Sequence, residues 1–257
     1  MSESSRVYIG KIPVDRIGLA DMLRIVAGAL ATGKQRTVFY ANSHAVTLAE
    51  TDPQFAAAMN AADTVFCDGF GAYVAARVLG SPIPERFTWP DWIVPLGATC
   101  RDNGSSMFFL GATDGVAEAA GKKMQSAVPG LRVHSHHGHF PKDDASSRRI
   151  IEQINRSGAK VLLVGFGMPL QEIWIAKYRR ELAPLVIFAN GATFDYVAGH
   201  IRRGPQWLTS HGFEWLTRLI VEPRRLWRRY LLGLPEFGLL VIRQRWSAGS
   251  RMRAQSR

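Results

Sequence analysis

The sequence predicts an α/β protein: a Rossmann-like parallel sheet flanked by helices, followed by a basic helical C-terminal appendage. Three observations carry that reading. Short β-branched runs alternate with helix-length segments, glycine or a small polar residue recurs where those runs end, and the charge composition changes near residue 200. Strands separated by helix-length crossovers pair in parallel, with helices on both faces of the sheet.

In chain order, "GLADMLRIVAGALATG" (18–33) reads as the first helix, and "RTVFYANS" (36–43) as the first strand. An Ala-rich helical segment over 44–61 leads to the strand "DTVFCDG" (63–69), and a helix over 70–79 follows. "SMFFLGAT" (106–113) is a strand and 114–127 a helix; "LRVHSHHGHF" (131–140) is a strand and 145–156 a helix. "AKVLLVGFG" (159–167) and "PLVIFANGAT" (184–193) complete the strands. The alternation weakens after Asp195, so the sequence divides into a Rossmann-like domain over 1–200 and a basic helical appendage over 201–257.

Composition narrows the function. The 257 residues are 47% hydrophobic and 21% charged, an ordinary globular balance with a net charge of +11. From Ile201 onward there are twelve Arg, no Lys and three Glu, so the body is nearly neutral and the tail strongly basic. Arginine offers a planar fork for phosphate or carboxylate, which points to an anionic partner: nucleic acid, lipid headgroup or phosphorylated substrate. Two cysteines, Cys67 and Cys100, exclude a disulfide framework and lack metal-ligand spacing. The N-terminus lacks a signal peptide's basic start and apolar core, and no apolar run reaches 18 residues. A cytoplasmic protein is expected, with any membrane contact peripheral.

In open parallel sheets, ligands bind beyond the carboxyl ends of the strands. The residues expected there are Asn42, Asp68-Gly69, Gly111, Gly138, Gly165-Phe166-Gly167 and Asn190-Gly191. Each glycine taken alone reads as an ordinary turn. Six such sites on one edge point to a nucleotide or phosphate pocket. "GFGMPLQE" (165–172) has Gly-x-Gly but Leu170 in place of the third glycine of a dinucleotide fingerprint. Gln171 and Glu172 fall in the first turn of the next helix, where Glu favours the dipole. Asp68 in "CDGFG" (67–71) serves equally well as a helix cap or as a general base. The four histidines of "HSHHGHF" (134–140) lack a cysteine or paired carboxylate at ligand spacing, and no Asp-x-Asp occurs anywhere.

Ten separated motifs in order then decide between classes: Asn42, "DG" (68–69), "ER" (85–86), "LGAT" (110–113), "PGL" (129–131), "GFGMPLQE", "FDYVAG" (194–199), "RRGP" (202–205), "FEWLTRL" (213–219) and "EPRRLWRRY" (222–230). Together they resemble the WecG/TagA/CpsF glycosyltransferases, glycosyltransferase family 26, over roughly Val7 to Phe237. The resemblance implies inverting, metal-independent transfer of a hexose from a UDP-sugar to an undecaprenyl-diphosphate-linked saccharide, with no cofactor. It implies Asp68 as the base and a donor site at Asn42, Gly69, Arg86, Gly111, Gly165, Gly167, Gln171, Glu172 and Asp195. It places Arg218, Arg225 and Arg228, with Arg224 beside them, on the acceptor diphosphate. It also implies an anionic membrane partner at the inner face of the plasma membrane and leaves room for an oligomer.

The sequence departs from the family pattern at Tyr40 (usually Thr), Leu170 (Lys), Gly204 (Ala) and "ERFTWPDW" (85–92). There Trp89 and Trp92 offer stacking faces for a pyranose. The departures bear on the sugar, either UDP-glucose for exopolysaccharide or UDP-N-acetylmannosamine, with glucose slightly favoured. Two other classes are weighed: a metal-dependent phosphohydrolase built on His134, His136, His137 and His139, and a nucleic-acid-binding module built on the arginine tail. No recognised nucleic-acid motif accompanies that tail. In "EPRRLWRRYLLG" (222–233), Arg224, Arg225, Arg228 and Arg229 fall within about 140° of one helical face. Leu226, Trp227, Tyr230 and Leu231 cover the other face. This predicts an interfacial helix whose four apolar residues enter the headgroup boundary.

Overall fold

A computed structural model describes residues 6–201, 214–221 and 223–255. The chain opens with an antiparallel hairpin, β1 (Arg6–Ile9) and β2 (Ile12–Asp15), then α1 (Leu19–Thr32). The expected strands follow as β3 (Arg36–Ala41), β4 (Thr64–Cys67), β5 (Met107–Gly111), β6 (Val133–His136), β7 (Val161–Gly165) and β8 (Val186–Ala189). They form one parallel sheet in the order β4-β3-β8-β7-β5-β6. Val, Phe, Leu and Ala fill β3, β4, β5, β7 and β8, which are almost wholly buried, as expected of a sheet covered on both faces. Edge strand β6 is the polar exception.

The helical segment expected over 44–61 is two helices, α2 (Ser43–Thr51) and α3 (Pro53–Ala61). Asp52 divides them: its extended backbone ends α2, and its carboxylate caps α3 by accepting from Phe55 N at 2.9 Å. Pro53 at the first helical position has no N–H to lose. Next come α4 (Phe70–Val78), α5 (Trp89–Asp102), α6 (Val116–Ala127), α7 (Asp144–Arg156), α8 (Leu170–Tyr178) and α9 (Thr193–Ala198). The sequence reading missed the hairpin, whose strands are only four residues each, and α5, which carries Pro90 and Pro95.

The hairpin is tied to the sheet edge through buried charge. Arg6 Nε donates to Asp15 Oδ1 at 2.7 Å, and Asp15 Oδ2 accepts from Val65 N at 2.7 Å. The start of α5 closes an aromatic cluster: Trp92 packs on Phe66, Phe87, Trp89 and Phe188 with centroids 4.6–5.8 Å apart. Trp92 is therefore covered on its faces and is core, not a stacking platform for a sugar. Truncating such a side chain to Ala costs about 3–5 kcal/mol.

The chain ends in helices, as expected of the appendage: α10 (Glu214–Val221), α11 (Pro223–Trp227), a π-helical turn (Arg228–Leu232) and α12 (Gly233–Gln255). Phe237 and Val241 of α12 are buried against α2 and the body. Gln244 fastens the helix to the hairpin, accepting from Gly10 N at 2.9 Å and donating to Tyr8 O at 2.7 Å. No helix of the described residues is long and apolar enough to cross a membrane.

Candidate active site

The carboxyl edge of the sheet opens into a cleft of about 1390 Å³, larger than the usual range for a single small ligand. Asp68 follows β4 directly, and its N–H continues the ladder to Ala41 O at 3.0 Å. Asn42, after β3, caps α2 by accepting from Ala45 N at 3.0 Å. A side chain at Gly69 would stand 2.6 Å from Asn42 Cβ, so glycine lets these two strand ends touch. Gly111 and Gly165 meet likewise, since a Cβ at Gly111 would lie 2.5 Å from Gly165 O.

Of the residues expected from the sequence, Asn42, Asp68, Gly69, Arg86, Gly165, Gly167, Asp195 and Arg228 line this cleft. Gly111, Gln171 and Glu172 lie beneath the lining. Gln171 and Glu172 are fully buried, and Gln171 Oε1 accepts from Gly167 N and Gly191 N, each at 3.1 Å. One side chain thus joins the loops that follow β7 and β8. Arg224 is exposed and off the lining. The side chains of Arg218 and Arg225, together with the motif at 202–205 and Glu222, lie outside the described residues.

The cleft gathers further groups that sequence reasoning did not single out as site residues. Lys142 Nζ sits 3.6 Å from the Phe140 ring centroid and 4.4 Å from that of Phe166, and donates to Gly138 O at 2.6 Å and Phe140 O at 2.8 Å. Burial draws its pKa below the ordinary lysine value. Nothing local marks Lys142, because Phe166 stands 24 residues away in sequence. Arg229 adjoins Arg228 on the wall, and His44, also on the lining, is pushed down to about 4 by burial and then by the Arg229 charge. Burial raises the Tyr40 phenol and holds it neutral, as do the nearby Glu172 and Asp68 charges. Glu172 rises to about 7, mainly through desolvation.

The C-terminal helices close one side of the cleft, and here the expectation of a single membrane-facing apolar surface is corrected. Leu226 and Tyr230 are buried, at 3% and 7% exposed, and line the cleft, with Trp215 of α10 against Tyr230 at 5.8 Å. Trp227 and Leu231 remain exposed. The apolar face of 222–233 is divided because the π-helical turn alters the helical period and α10 covers part of that face. Leu232 is exposed too, and farther on Leu239, Ile242 and Trp246 are exposed at spacings that share one face of α12.

Among the described residues, no three His, Cys, Asp or Glu side chains converge as metal ligands. His136 and His137 stack on each other at 4.4 Å, and only His139 of the four histidines reaches the cleft. The arrangement therefore sets Asp68, with Asp195 and Glu236 also on the lining, in a pocket bordered by Arg86, Arg228, Arg229 and Lys142. Such a site can accept a proton on one side and hold an anionic leaving group on the other.

Comparisons with known proteins give a family. A model described as the glycosyl transferase WecG/TagA/CpsF family matches residues 7–251. An N-acetylglucosaminyldiphosphoundecaprenol N-acetyl-beta-D-mannosaminyltransferase of Bacillus spizizenii is 27% identical over 192 residues, covering 75% of this chain and 73% of that protein. A Staphylococcus aureus protein of the same name is 25% identical over 238 residues, 92% of each chain.

Proposed function

This chain belongs to the WecG/TagA/CpsF family of glycosyl transferases, and from that premise we propose that it moves a hexose from a UDP-sugar to a saccharide carried on undecaprenyl diphosphate. It acts on a lipid-linked sugar, as the names of its relatives say of those proteins. The observation that carries the finer reading is the presence of Asp68, Arg228 and Arg229 on the lining of one cleft.

In the proposed reaction, Asp68 takes the proton from an acceptor hydroxyl as that oxygen attacks the anomeric carbon. The bond from that carbon to the β-phosphate oxygen breaks, and its electron pair leaves with UDP. One displacement inverts the anomeric centre and gives a β-linked product. Arg86, Arg228, Arg229 and Lys142 supply the positive field for the departing diphosphate, so the proposal needs no metal ion. The donor is of the UDP-glucose or UDP-N-acetylmannosamine type.

The proposed setting is peripheral, at the inner face of the plasma membrane. The exposed Trp227, Leu231, Leu232, Leu239, Ile242 and Trp246, with the exposed Arg224 and Arg228 nearby, support contact with an anionic surface. The product would serve an exopolysaccharide or another cell-surface polysaccharide. A panel of radiolabelled UDP-sugars tested with a short-chain lipid-diphosphate saccharide checks the reading. Transfer of one hexose to the lipid is expected. Hydrolysis of phosphate esters without any transfer would overturn it.

A further inference from the structure

The floor of the cleft carries polar groups that the reaction just described does not use. The side chain of Asn190 is buried, at 1% exposed, yet neither its Oδ1 nor its Nδ2 has a partner among the described residues. The indole Nε1 of Trp89, 3% exposed, has none either. Both residues line the cleft. Buried polar groups in native proteins are almost always hydrogen-bonded, so a pair of orphans at a ligand site calls for a partner.

Sheet register says where they lie. Val38 pairs with Phe188 and Tyr40 with Phe66, while Asn190 N still reaches Val164 O at 2.8 Å. Continuing that register sets Asn190 beside Tyr40, on the sheet face that carries Phe66, Asp68 and Asn42. It lies two residues, about 6.6 Å, deeper along the strands than Asp68 and Asn42. Trp89 belongs to the same side, because its ring meets Phe188 edge-on at 5.3 Å. Lys142, Arg228 and Arg229 come from other elements, the loop after β6 and the C-terminal helices, while Arg86 precedes Trp89 by three residues.

We propose that Asn190 and the Trp89 indole N–H form a subsite that reads a substituent of the transferred pyranose, a hydroxyl or acetamido group. The inference rests on the transferase reading. An amide presents donors and an acceptor together. A phosphate at neutral pH accepts hydrogen bonds and would leave Oδ1 unpaired, whereas a hydroxyl or acetamido group answers both. The subsite sits below Asp68, on the side where the anomeric carbon must meet the acceptor oxygen. A site built to hydrogen-bond a substrate group rejects analogues lacking it.

The test uses the full-length protein and calorimetric titration, without acceptor, of UDP, UDP-glucose, UDP-N-acetylglucosamine and UDP-N-acetylmannosamine. Asn190→Val should weaken the best-bound nucleotide sugar by about 10-fold or more while leaving UDP within about twofold. Trp89→Phe, which removes the N–H with part of the ring and keeps an aromatic side chain, should do the same to a lesser degree. The melting temperature of Asn190→Val should hold or rise, because an unpaired buried amide gives way to an apolar side chain. Equal loss for UDP would assign Asn190 to the nucleotide and overturn the proposal. Unchanged affinity for all four ligands, or a lowered melting temperature with matching loss throughout, would overturn it as a structural residue. Wild-type protein that binds neither UDP nor any of the sugars would instead sink the transferase reading, and the subsite with it.

Discussion

Gln171 Nε2 donates to Glu172 Oε1 at 2.8 Å in a setting where both side chains are fully buried. The other end of the Gln171 amide holds the loops after β7 and β8 together through Gly167 N and Gly191 N. A carboxyl group is thereby placed under the floor of the cleft, facing the amide that shapes it.

That placement makes stability depend on pH. Burial raises the Glu172 pKa from 4.5 to about 7, so between those values the folded protein keeps a proton that the unfolded chain releases. Stability therefore falls as pH rises across that window, by up to ~3 kcal/mol for this group. Thermal melts from pH 5 to pH 8 should show the decline. Glu172→Gln, which keeps the acceptor and removes the titration, should flatten it, and an equal slope in the variant would rule Glu172 out as the source.

Asp68→Asn preserves shape and removes the base. Turnover should drop by ~10²-fold or more, with UDP-sugar affinity nearly unchanged. Near wild-type turnover by a folded Asp68→Asn protein would move the base elsewhere in the cleft.

Transfer should persist in excess EDTA, because arginine and lysine supply the field for the leaving diphosphate. Activity lost in EDTA and restored by Mg²⁺ or Mn²⁺ would show that those cations need a metal beside them.

The exposed stripe of α12 gives a membrane test that spares the cleft. Leu239→Ser, Ile242→Ser and Trp246→Ser combined should abolish sedimentation with anionic liposomes while UDP binding stays intact. Phe237 and Val241, which hold α12 to the body, are untouched by these changes. Each arginine near an anionic surface adds roughly 1 kcal/mol, so raising salt should weaken wild-type binding as well. Liposome binding by the triple variant equal to wild type would assign the stripe another role.

The sequence by itself determined the alternation of strand and helix and the identity of the residues at the strand ends. Both follow from local chemistry. A buried parallel strand is a short apolar run, and the first polar or glycine residue after it must fall on the ligand edge. Asp68, Asn42, Gly165 and Gly167 reached the cleft for that reason. Tertiary structure decided what depended on partners remote in sequence. Gln171 turned inward because two loop N–H groups, Gly167 and Gly191, converge on it. Lys142 entered the cleft because Phe140 and Phe166 enclose its ammonium. The apolar face of 222–233 was divided because Trp215 covers Tyr230 and a π-helical turn interrupts the 3.6-residue period that the sequence pattern assumes. Asn190 stood at a recognisable strand end, but its depth, two residues below Asp68, is a property of register between strands, which no single stretch of sequence encodes.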